Sequence, residues 1–167
     1  FMEWVLERPS TGLPLIERLY ASGGQIGTHM HSKRRASLFN WVPADTSTIP
    51  NIQAMWDDHI GLVDQVVNTA LGIVDPADVR QANGSLGTHV PSDDALRLAL
   101  LEANGFVGHQ QGPCEEFFVY FEHYAMNPWR PSGEGVLRND PDGPVVLVPF
   151  GPVLGENGIH FGILQDM

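Results

Sequence analysis

The ten residues Gly23-Gly24-Gln25-Ile26-Gly27-Thr28-His29-Met30-His31-Ser32 constrain this chain more than any other stretch. They combine a helix stop, a short strand and two histidines delivered at the strand's end. The preceding Leu13 to Tyr20 carries apolar residues at 15, 16, 19 and 20, a helical spacing, with Pro14 suited to the first turn. The two glycines then terminate that helix. Alternate residues of a strand share a face, so His29 and His31 point the same way. Strand ends of alternating α/β folds are where such enzymes place their chemistry. A His-x-His there marks a candidate site.

Strands and helices alternate along the rest of the chain. Phe1 to Leu6 reads as a short buried strand, followed by a helix from Pro14 to Ala21 and a strand over 25–30. Lys33 to Asn51 reads as a long irregular loop, punctuated by Pro43, Asp45, Ser47 and Pro50, and loops of that length are often functional. A helix over 52–71 is marked by Ile52, Met55, Trp56, Val63, Val66, Val67 and Ala70 on one stripe. A short strand is expected over 78–82, and Ser92 caps a helix with Asp93 and Asp94 in its first turn, ending at Asn104-Gly105. Phe106-Val107, Phe117 to Phe121, Val145 to Val148 and Ile159 to Leu164 read as further strands. There is no repeat, linker or low-complexity segment, so residues 1–167 form one domain of α/β class. The strand over 25–30 is expected at the centre of a parallel sheet, with helices covering its outer face.

Charge narrows the partners. The net charge is −11, with Lys33 the single lysine, eight arginines and twenty acids dispersed in ones and twos. No basic stripe exists to neutralise phosphates, which excludes nucleic acid as the expected partner, and nothing attracts an anionic membrane surface. No apolar run reaches membrane-spanning length and no signal peptide opens the chain. Cys114 is alone, which rules out an intrachain disulfide and a cysteine-based zinc site and leaves the compartment open. Phe1 in place of an initiator methionine points to a processed or partial chain.

The helix followed by Gly-Gly-Gln-Ile-Gly-Thr-His-Met-His resembles the second motif of the polysaccharide deacetylase (NodB-homology) family, in which a "G-[HG]-E-[IV]-G-x-H" strand delivers a metal-binding histidine. One branch of that family continues as "A-H-x-H-P-W" with a long proline-containing loop, similar to His29 through Pro50. Val79-Arg80-Gln81-Ala82-Asn83-Gly84 resembles the family's "F-R-x-G" strand end, and Asp94 to Phe106 its following helix. Asn127-Pro128-Trp129-Arg130-Pro131-Ser132, with Gly143 to Pro149, resembles its "P-Y-R-P-S … G-x-x-x-E-x-P" segment. The resemblance covers most of the chain in the right order, through short motifs.

It implies a partial or distorted (β/α) barrel and a metal-dependent hydrolase that removes N-acetyl or O-acetyl groups from carbohydrate. Hydrolysis needs a nucleophilic water at neutral pH, which a metal with an open position supplies. Two histidines and a carboxylate suit zinc first, then cobalt or iron. The resemblance assigns His29 and His31 to the metal, Arg80 to orienting the catalytic carboxylate, His160 to the late-strand acid position, and Trp129 with Arg130 to a sugar-stacking lip. Each has a plainer reading: a polar strand end, a structural ion pair, a packed histidine in an apolar strand, a rigid loop. Trp41 and Trp56 read as core or loop anchors, and His59, His89, His109 and His123 show no mutual metal spacing.

Two departures from the family's pattern matter. Its opening strand ends in Asp-Asp, whereas the acids before His29 are Glu3, Glu7 and Glu17. Its second histidine, four residues after the first, falls on Lys33, so His31 must substitute. These predict a fragment of a longer domain, weak metal affinity, negligible deacetylase activity for this chain alone, and an exposed sheet edge covered by a second copy or another chain. The alternative function is a carbohydrate-binding or scaffold domain of the same fold without catalysis. A cupin reading is the other metal-binding option, since Gly23 precedes His29-x-His31 at the right distance. Arg35 and Ala36 stand where its glutamate belongs, and the two long helices disagree with a jelly roll.

Overall fold

The computed structural model describes residues 1–73, 75–76, 79, 82–84, 94–111, 130–132 and 135–149. Helices α1 (Met2–Glu7) and α2 (Pro9–Ala21) lead into strand β1 (Thr28–His29). An antiparallel hairpin of β2 (Lys33–Ser37) and β3 (Asn40–Pro43) follows, and then the long helix α3 (Ile49–Leu71). Beyond it lie β4 (Ala82–Gly84), α4 (Asp94–Ala103), β5 (Gly108–Gln111), β6 (Pro131–Ser132), β7 (Gly135–Asn139) and β8 (Val146–Pro149). Strands β1, β4, β5 and β8 form a four-stranded sheet in that order, parallel throughout. Among the described residues β1 is therefore the end strand rather than the central one, because each crossover through α3 and α4 lays the next strand on the same side.

Local chemistry explains the helices. Thr48 caps α3, its hydroxyl accepting the Asn51 N–H, and Gly72 closes the other end in the left-handed region at φ 64°. Between them Ile52, Met55, Trp56, Ile60, Val63, Val66 and Val67 are buried at helical spacing. The helix starts three residues before the expected Ile52 because Pro50 fits its first turn. Helix α2 begins at Pro9, which takes the first-turn place expected of Pro14, and it stops where Gly23 turns to φ 81°.

Several segments differ from expectation; the strand expected over 25–30 is confined to Thr28–His29, and the one expected at Phe106-Val107 begins at Gly108. The strand expected over Phe1 to Leu6 is instead the helix Met2–Glu7: Val5 is fully buried and seated against Gly12 of α2, where an added Cβ would come within 2.6 Å of the Val5 Cα. Six residues are too few for periodicity to separate strand from helix. Lys33 to Asn51 is no irregular loop, since Lys33 pairs with Pro43, Arg34 with Val42 and Arg35 with Trp41. The expected strand over 78–82 is found at Ala82–Gly84.

Two apolar clusters meet along α3. Ile52, Met55, Trp56 and Ile60 pack with Met30, Leu101, Phe106 and Leu147 under the sheet. Val63, Val66 and Val67 pack with Val5, Ile16 and Ile26. The indole of Trp56 meets the Phe106 ring edge to face at 6.4 Å, a geometry that aromatic quadrupoles favour. No helix among the described residues is long and apolar enough to cross a membrane.

Candidate functional site

Burial alternates along the end of β1. Thr28 and Met30 point into the core at 1% and 0% exposure, which turns His29 and His31 outward to solvent. Their rings stand edge to face with centroids 4.7 Å apart. Both line a cleft of about 560 Å³, a size suited to a small ligand, together with Phe1, Glu3, Lys33, Trp41 and His59. Thus the cleft gathers side chains from α1, β1, the hairpin and α3.

Three of those residues carry roles that the sequence does not advertise. His59, on α3, is buried, and its Nε2 lies 3.1 Å from the His31 carbonyl oxygen and 3.2 Å from that of Lys33. The two carbonyl oxygens are nearer to Nε2 than the His31 backbone N–H, which lies 3.5 Å away, so the tautomer with the proton on Nε2 serves them best and ties the chain just after β1 to the helix. Burial lowers the His59 pKa below its ordinary value of 6.5, and the bonds to the two carbonyls oppose that only in part. Trp41 lies flat on the other side of this imidazole, 4.3 Å between centroids and 21° from parallel. Its indole N–H donates to Glu3 Oε1 at 2.8 Å. Burial raises the Glu3 pKa, but the hydrogen bonds from its own backbone N–H and from Trp41 outweigh this and leave the group below its usual value. Glu3 is therefore an ionised carboxylate in the cleft at neutral pH.

The hairpin that carries Trp41 is itself fastened to α3. Asp58 accepts a hydrogen bond from the Arg34 guanidinium and another from the Arg35 backbone N–H at 2.9 Å. Asp58 and His59 are consecutive on α3, so one turn of that helix grips both the hairpin and the segment that follows β1.

Of the residues expected at the site, His29 and His31 come together in the cleft. Arg130 does not line it: its guanidinium donates to the Gly143 carbonyl at 2.6 Å. Arg80, Trp129 and His160 lie outside the described residues. The sequence places Lys33 where the resemblance puts a second histidine, and Lys33 also lines the cleft. The separation of Glu3 from Trp41, 38 positions along the chain, left no local signal of their pairing.

Two imidazoles side by side suit a divalent metal, and burial together with the neighbouring His31 lowers the pKa of His29, favouring the neutral form that coordinates. Among the described residues no group of three or more His, Cys, Asp or Glu side chains converges to hold an ion. Among the described residues the two imidazoles are thus one ligand short of the three protein donors that a catalytic zinc site has. Compared with protein-family models, curated proteins and solved structures, the chain matches none of them.

Proposed function

We propose that the cleft belongs to a metal-dependent hydrolase that removes acetyl groups from carbohydrate, built on a distorted (β/α) barrel of the deacetylase type. The observation that carries this reading is the pair His29 and His31, turned by the alternation of β1 into a cleft that also holds a carboxylate and an indole. His29 and His31 would hold the metal, zinc first among the candidates, with cobalt or iron also compatible with the donors. When bound, it supplies an activated water or a Lewis acid at neutral pH.

The chain's own groups supply the rest. Glu3 is ionised and faces the same cleft, the state a proton acceptor needs, so α1 offers the base that the family takes from its Asp-Asp strand, and this replaces the expectation of negligible activity for this chain. His59 fixes the carbonyls that flank Ser32 and so sets where His31 projects. Lys33 brings a cation to a chain that is otherwise strongly acidic.

The test joins metal binding to turnover. Zinc titrated calorimetrically should bind weakly, more weakly still at acid pH, and not at all to the His29→Ala/His31→Ala double variant. Acetate release from acetylated glucosamine oligomers that both His29→Ala and Glu3→Gln abolish supports the hydrolase. Zinc affinity unchanged in the double variant sinks the metal assignment. Oligomer binding without acetate release favours the second reading, a carbohydrate-binding domain of this fold, which the Trp41 wall of the cleft supports.

A further inference from the structure

We propose that Trp41 is the platform on which the cleft stacks a pyranose ring of an uncharged, N-acetylated oligosaccharide; this rests on the carbohydrate reading above and names the residue that recognises the sugar. Trp41 is half-buried, and its orientation is fixed twice. One face lies on the His59 imidazole at 4.3 Å, and the indole N–H is bonded to Glu3 at 2.8 Å. His59 is in turn immobilised by two backbone carbonyls. An aromatic side chain locked before the ligand arrives loses little rotamer freedom on binding, so stacking contributes nearly its full strength. The apolar C–H face of a pyranose ring matches such a surface, since indole combines a large apolar body with a polar edge.

The surrounding polar groups suit hydroxyls. A sugar hydroxyl both donates and accepts, and the cleft offers both partners around Trp41. Lys33 carries only donors. The Glu3 carboxylate has about four acceptor positions, of which the Trp41 indole takes one and the chain's amino group, 3.2 Å from Oε2, another. The imidazoles of His29 and His31 serve in either sense. Charges of both signs share the cleft, Glu3 against Lys33 and the amino group of Phe1, so the lining is not built around a single sign of charge, which suits an uncharged sugar.

The experiment is titration of the full chain with the N-acetylglucosamine tetramer in EDTA, so that neither metal nor turnover contributes. Heat of binding and tryptophan fluorescence are read together. Trp41→Ala should weaken binding about tenfold or more, and Trp41→Phe, which keeps a ring face but loses the N–H, by about threefold or less. The parent should show a ligand-induced fluorescence change that Trp41→Phe lacks, a readout that holds even if Trp41→Ala fails to fold. Parent-like affinity in Trp41→Ala overturns the platform, as does a fluorescence change that persists in Trp41→Phe. A loss in Trp41→Phe as large as in Trp41→Ala overturns it too, by showing that the N–H and not the ring carries the effect. A parent that binds no tetramer refutes the carbohydrate reading itself.

Discussion

The imidazole of His59 lies 4.3 Å from the indole of Trp41 and within 21° of parallel to it, so a helix and a hairpin meet as two stacked rings. The rest of the cleft is organised around that pair. Glu3 holds the indole from the side of α1, and the carbonyls of His31 and Lys33 hold the imidazole from the side of β1.

Removing His59 should therefore act on two properties together. His59→Ala leaves two carbonyls without their donor and Trp41 without its neighbour, which should cost about 2 kcal/mol or more in urea unfolding. Zinc affinity should fall in parallel, because His31 loses the bond that positions its backbone. His59→Gln, whose amide N–H can still reach a carbonyl, should recover part of both. Unchanged zinc affinity in a folded His59→Ala would show that His31 is positioned otherwise.

Asp58 gives a pH signature. Burial raises its pKa, but the hydrogen bonds from Arg34 and from the Arg35 backbone outweigh that and bring it below the ordinary value of 3.8. A carboxylate depressed in the folded state contributes stability that is fully present above the unfolded pKa and lost as pH falls through the folded one. Asp58→Asn should accordingly lower Tm by about 2–4 °C at neutral pH, with the deficit shrinking below about pH 4. Arg34 is half exposed, so part of the effect should be screened away by salt. A deficit equally large at pH 3 and pH 7 would contradict this account.

Two glycines should respond with opposite signs. Gly12→Ala places a Cβ 2.6 Å from the Val5 Cα, and α1 must shift from α2, at about 2 kcal/mol. Gly61, inside α3, has nothing within 4 Å of an added Cβ, so Gly61→Ala should stabilise by about 0.5–1 kcal/mol through helix propensity alone. Chemical denaturation of both variants reads the contrast.

Thr28 offers a fourth measurement. Its hydroxyl is buried with no hydrogen-bond partner among the described residues. Thr28→Val keeps the shape and removes the orphaned oxygen, which should stabilise by about 1 kcal/mol. A loss of that size instead would reveal a partner for the hydroxyl.

Helix α3 was legible because its buried residues recur at helical spacing from Ile52 to Val67, about four turns, a signal too long for another period to imitate. The stop at Gly23 and the outward turn of His29 and His31 were legible for similar reasons: a positive φ needs glycine, and a period of two is visible around Met30. The hairpin was hidden because Lys33-Arg34-Arg35 shows no apolar alternation; what secures it is Asp58, a carboxylate from a distant helix. The helical state of residues 2–7 depends on Val5 finding Gly12, a contact between two elements that neither announces. Glu3, Trp41 and His59 share a cleft through tertiary pairing, and nothing in their spacing along the chain encodes it.

The described strands of the parallel sheet stand side by side in the order in which a ribosome would release them. Each newcomer finds its neighbour's edge already laid down, with only one crossover to close before pairing begins. The same two-residue strand that turns His29 toward the cleft forms one end of this ladder, with β4 its sheet neighbour among the described residues. Loss of either end strand, β1 or β8, would bare an edge of the strand beside it, whereas the β4–β5 ladder would still be made.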